Sequence, residues 1–127
     1  MPPENSDLSS GSAEPGSVEL GHHEPGIAVV TMHGEHDIGT EPQLAYALAQ
    51  AVAHSSVIVD LSDCSFIDST VIASLIKGAA TAREGGDHFA LVIPREQRHV
   101  ARIAEMVRLT DFLAVHESRE AALESFR

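Results

Sequence analysis

Apolar residues are sparse over residues 1–15 (MPPENSDLSSGSAEP), where Pro, Ser, Gly and acidic side chains dominate. Such a stretch buries too little surface to offset its ordering entropy, so residues 1–15 are expected to form a disordered acidic tail ahead of one domain over 16–127. From Val18 the pattern changes. Val18, Leu20 and His22 alternate with polar residues, Glu24-Pro25-Gly26 marks a turn, and Ile27 to Met32 reads as a strong strand. Together they predict an antiparallel hairpin.

Beyond it, Gly34-Glu35-His36-Asp37 reads as a loop, and Thr40-x-x-Gln43 is a capping-box pattern opening a helix with Pro42 in its first turn. Leu44, Leu48, Ala51 and Val52 give that helix one apolar stripe. The run Val57–Leu61 has no alternation, as expected of a central strand covered on both faces or carrying parallel neighbours. Ile72, Leu75, Ile76 and Ala79 form a second helical stripe, closed by Gly85-Gly86. Phe89 to Ile93 is a further solid strand ended by Pro94, and a third helix carries Val100, Ile103, Ala104 and Val107. Phe112 to Val115 is a short last strand, after which Ser118 caps a final helix bearing Ala122, Leu123 and Phe126. Alternating strands and helices of this kind predict an α/β domain: a mixed, mostly parallel sheet of four to five strands with about four helices.

Charge narrows the function. The chain of 127 residues carries 8 basic and 19 acidic side chains, a formal charge of −11, which argues against nucleic acid and anionic membranes as partners. No Lys or Arg precedes Lys77, so the whole acidic excess lies before it. Part of that excess, Glu35, Asp37, Asp60, Asp63 and Asp68, is expected to flank the loops around Ser69. The single cysteine, Cys64, lies beside Phe66-Ile67 and reads as a small buried residue, compatible with a reducing compartment. With no basic-then-apolar leader and no long apolar run, a soluble cytoplasmic protein is expected.

The most informative stretch is Asp68-Ser69-Thr70, between the buried strand and the second helical stripe. A serine there displays its hydroxyl at a helix N-terminus, beside backbone N–H groups that suit an anion. Catalysis at that hydroxyl has little support: the stretch lacks the Gly-x-Ser-x-Gly elbow of a nucleophilic serine, and none of His88, His99 or His116 is favoured as a base. The histidines of His22-His23 and His33-x-x-His36-Asp37 lack zinc-site spacing and read as surface residues of a hairpin. Val57–Leu61 resembles the phosphoacceptor strand of response-regulator receivers, but the acidic pair and the lysine such receivers need are missing. Gly85-Gly86 is too short for a phosphate loop and follows a helix. No catalytic residue, metal or cofactor is therefore assigned.

Val57 to Leu75, VIVDLSDCSFIDSTVIASL, is similar to the signature of STAS domains, the fold of bacterial anti-sigma factor antagonists. Met32-x-Gly34-Glu35-x-Asp37-Ile38-x-Thr40 looks like that family's Gly-Glu-Leu-Asp segment, and the resemblance spans residues 17–126. It implies a non-catalytic regulator that binds an anti-sigma factor, itself a serine kinase that holds the ATP, and is switched off when Ser69 is phosphorylated, so controlling sigma-factor availability. By position it implies Asp37, Asp68, Ser69, Thr70 and Val71 as partner-binding residues, and leaves room for a weak homodimer. Two departures stand out: His36 replaces the family's leucine and Val71 its glycine, the latter as a surface anchor or as boundary packing. The resemblance also admits a STAS module serving as a stress-signalling scaffold or as a lipid-transporter subunit. Outside it, a metal or small-ligand binding protein using the histidine-rich hairpin is the third reading.

Overall fold

The computed structural model describes residues 14–127. Of the tail expected over residues 1–15, residues 1–13 lie outside the described residues. Glu14 and Pro15 are already engaged: the Glu35 N–H donates to the Glu14 carbonyl at 3.0 Å, and Pro15 bridges Glu35 in parallel.

The chain runs β1 (Ser17–Glu24), β2 (Ile27–His36), α1 (Glu41–Val52), β3 (Ser56–Ile67), α2 (Ser69–Glu84), β4 (Phe89–Val92), α3 (Arg98–Met106), a 3-10 turn (Leu109–Asp111), β5 (Ala114–His116) and α4 (Arg119–Ser125). The five strands form one sheet in sequence order. β1 is antiparallel to β2 across the turn at Gly26, and every other pairing is parallel. This is the mixed, mostly parallel sheet with about four helices that the periodicities predict.

Strand alternation separates two cores. Ala28, Val30 and Met32 of β2 and Val57, Val59 and Leu61 of β3 meet Leu44, Leu48 and Ala51 of α1 and Val71, Leu75 and Ala79 of α2. On the opposite face Ile58, Ala90 and Val92 meet Ala122, with Leu123 of α4 and Phe126 just beyond it packed alongside. Burial from both sides explains why Val57–Leu61 shows no alternation.

Three expectations are revised. Gly34-Glu35-His36 is strand and not loop, and β3 runs on to Ile67, because the two strands keep pairing: His33 with Asp63, Gly34 with Cys64, Glu35 with Phe66 and His36 with Ile67. Two register shifts break the period-2 pattern there, and Gly34 takes a φ of 78° that favours glycine. At α1 the capping box does not form; Thr40 is the N-cap residue, but its side chain makes no cap hydrogen bond. The last strand starts at Ala114, with Phe112 closing the 3-10 turn and half exposed.

Candidate functional site

Because β2 and β3 are parallel and His36–Ile67 is the last pair, Asp37 and Asp68 leave the sheet side by side. They sit at the carboxyl ends of parallel strands, where open α/β sheets bind ligands. Asp68 is extended (φ −110°, ψ −177°), and its Oδ1 accepts the Val71 N–H at 3.0 Å, so Asp68 is the α2 N-cap. Ser69 is then the first helical residue, exposed and with no capping duty for its hydroxyl. The first intrahelical bond runs from the Ile72 N–H to the Asp68 carbonyl, at 3.1 Å. The Ser69 and Thr70 amides lie ahead of it, at the positive end of the helix dipole. Thr70 is half-buried beside them.

Val71 does not belong to this surface. It is 0% exposed and packs in the main core, one turn before Leu75 and two before Ala79. Its place on the helical stripe settles the choice between surface anchor and packing for packing, and its side chain offers a partner nothing.

The Asp37–Thr40 loop forms the other wall. Asp37 Oδ1 accepts the Gly39 N–H at 2.8 Å, and its carbonyl accepts the N–H groups of Thr40 and Glu41 at 3.1 and 3.0 Å. This tight turn pushes Ile38 outward, where it is 72% exposed beside Asp37. Sequence reasoning missed Ile38. Ile38 stood inside the segment that resembles the family, as an apolar residue that no stripe absorbs, but was given no role.

Not all the acids expected around Ser69 gather there. Asp60 points to the α4 face and is 6% exposed. Its Oδ2 accepts Arg119 Nε and Nη2 at 3.0 and 2.7 Å, while Oδ1 accepts the Ser62 N–H and hydroxyl at 2.9 and 2.6 Å. Burial works against its ionisation, but the hydrogen bonds from Ser62 and Arg119 outweigh it and hold the carboxyl below its ordinary value. Asp63 instead faces His33 Nδ1 at 3.4 Å, and His33 Nε2 lies 3.2 Å from Glu19.

The histidines do not converge either. His22 and His23 are exposed on β1, whereas His36 is wholly buried. Among the described residues no three His, Cys, Asp or Glu side chains are placed to hold a metal ion. Cys64 is buried, and burial pushes its thiol up to about 11 while its Sγ donates to the Phe66 carbonyl, which marks an inert packing residue.

A family model described as "Mlab, STAS domain" matches residues 22–115. Among solved structures, an anti-sigma factor antagonist from Mycobacterium paratuberculosis shares 26% identity at a TM-score of 0.75, covering 89% of this chain and 95% of its own. An anti-sigma-factor antagonist (STAS) domain protein from Planctomyces limnophilus superposes at a TM-score of 0.71 with 18% identity, over 86% of this chain and 97% of its own. The phosphorylated form of the Bacillus cell fate determinant SpoIIAA does so at 0.67 with 16% identity, over 87% and 100%. No curated protein sequence matches the chain. Among the described residues no helix is long and apolar enough to cross a membrane.

Proposed function

Since the chain belongs to the STAS domain family, we propose that it is an anti-sigma factor antagonist: a cytoplasmic, non-catalytic regulator that binds an anti-sigma factor kinase through the Asp37–Ser69 corner and is released when Ser69 is phosphorylated. The observation that carries this reading is the exposed Ser69 hydroxyl at the first position of α2, excused from capping by Asp68 and flanked by the Asp37 loop. The docking set is Asp37, Asp68, Ser69 and Thr70, with Ile38 in place of Val71 as its apolar contact.

The physics of the switch is local. A phosphoserine adds about −1.5 to −2 charge and three acceptor oxygens. At the start of α2 the helix dipole accommodates that charge, so the domain keeps its fold. For a docked partner the sign reverses, because the dianion joins Asp37 and Asp68 in a surface that must be desolvated. A loss of about 4 kcal/mol, roughly a thousandfold in affinity, follows if no cation meets it.

Mixing the protein with candidate anti-sigma kinases and labelled ATP tests the proposal. Label on Ser69, binding retained by Ser69→Ala and weakened by Ser69→Glu support it; label elsewhere, or Ser69→Glu binding as well as the parent, rejects it. Membership of the STAS domain family is equally compatible with one other reading, a STAS module serving as an accessory subunit of a larger assembly. In that case partner binding survives Ser69→Glu.

A further inference from the structure

The N-terminal strap and the docking loop meet on one side chain. His36 is 0% exposed, yet its ring bonds to segments on either side of it in the chain. Nε2 lies 3.0 Å from the His33 carbonyl and 3.2 Å from the Ser17 carbonyl. Two acceptors there place the ring hydrogen on Nε2. Nδ1 is then an acceptor, 2.9 Å from Thr40 Oγ1. That hydroxyl donates to the ring and accepts the Asp37 N–H at 3.1 Å. The strap above is fitted closely: a Cβ on Gly16 would collide with the Glu35 carbonyl and the His36 ring, and one on Gly34 would stand 2.6 Å from the Pro15 carbonyl.

We propose that His36 is a positioning residue that links the seating of the Glu14–Ser17 strap to the order of the Asp37–Thr40 loop, so that the Ser69 corner is properly presented only while the strap is in place. The inference rests on reading that corner as the docking surface. It also explains why a polar ring stands where the resemblance has a leucine: leucine would fill the space but could not join the two segments.

Protonation should weaken the link, because it puts a charge on a ring with no solvent contact. A second ring hydrogen would fall on Nδ1, where an acceptor is used, and Thr40 Oγ1 could receive it only by turning its own hydrogen to the Asp37 carbonyl, 3.2 Å away. Charged or titratable groups on the surrounding elements are His33, Glu35 and Asp37 on β2 and its loop, Glu14 on the strap, Glu41 at the start of α1 and Asp68 after β3. Burial holds the imidazole below its ordinary value, against the pull of the Ser17 and His33 carbonyls and of Asp37. The unfolded chain therefore takes up the proton first as pH falls. The stabilisation is complete above about pH 6.5 and fades as pH drops through the lower folded value.

Amide hydrogen exchange on the full chain, corrected for intrinsic rates, tests this with Glu35, Asp37 and Thr40 as reporters and Val59 and Leu91 as core references. In the parent protein, protection at Asp37 and Thr40 should fall at least tenfold between pH 7.5 and 5 while the references hold. Gly16→Ala should unseat the strap and cost the loop a similar factor at pH 7.5. His36→Leu, which fills the space but bonds neither to the two carbonyls nor to Thr40, should free the loop and abolish its pH response. Loop protection that is flat with pH, a Gly16→Ala protein whose Glu35 amide is freed with the loop unmoved, or equal losses at the core references would each overturn the proposal. No partner is involved, so the outcome is separate from that of the docking test.

Discussion

Asp60 and Ser69 belong to the same signature stretch, and the fold treats them in opposite ways. Ser69 stands exposed with its hydroxyl available, whereas Asp60 is buried and satisfied by Ser62 and Arg119. Replacing Arg119 by Ala leaves that carboxylate with Ser62 alone. Because the Arg119 side chain is itself 44% exposed, the cost should sit below that of a fully buried broken pair, about 2 kcal/mol by urea unfolding at pH 7. The penalty must also carry a pH signature. The depressed Asp60 carboxyl contributes stability above its unfolded value of about 4, and that contribution is lost as pH falls through the lower folded value. Parent and Arg119→Ala curves should therefore converge in acid; a gap that persists there would mean that Arg119 acts through packing. Ser69 was legible because an Asp-Ser pair stood just before a helical stripe. Asp60's role was not, since its partner lies 59 residues away and no local pattern announces it.

At the level of elements, the strands and helices whose periods are clean were read in nearly the right places, and the failures cluster where the period breaks. The polar residues Ser62, Asp63 and Ser65 interrupt β3, and the shifts between Thr31 and His33 and between Gly34 and Glu35 disturb β2. The ends of both strands thus passed for loop, and with them His36. The α2 start is the opposite case, where one residue does a defined job. Asp68→Ala removes the acceptor for the Val71 N–H and should cost about 1 kcal/mol in thermal or chemical unfolding, while Asp68→Asn should keep nearly all of it. Equal losses for the two would show that the Asp68 charge, and not its capping oxygen, supports the helix. Thr40 looked like a similar cap, but His36 and the Asp37 amide claim its hydroxyl. A capping motif read from sequence is open to such competition whenever a buried acceptor lies within reach.

The whole molecule explains how a modification could silence docking without disturbing the fold. α1 and α2 cover one face of the sheet and α4 the other, so both cores lie under helices and the Ser69 corner stands at the strand ends, outside them. Nothing in either core depends on the Ser69 side chain, and the helix dipole favours negative charge at that position. The chain already carries −11, with its acidic excess before Lys77, so one further modification changes the global repulsion little and the local potential much. Ser69→Glu should accordingly leave the melting temperature within about 3 °C of the parent, a change of less than about 1 kcal/mol for a domain of this size. A drop of 10 °C or more would mean that the hydroxyl supports the fold. Loss of partner binding in the same variant would then report unfolding, and the proposed switch would need a conformational step that the exposed position of Ser69 gives no reason to expect.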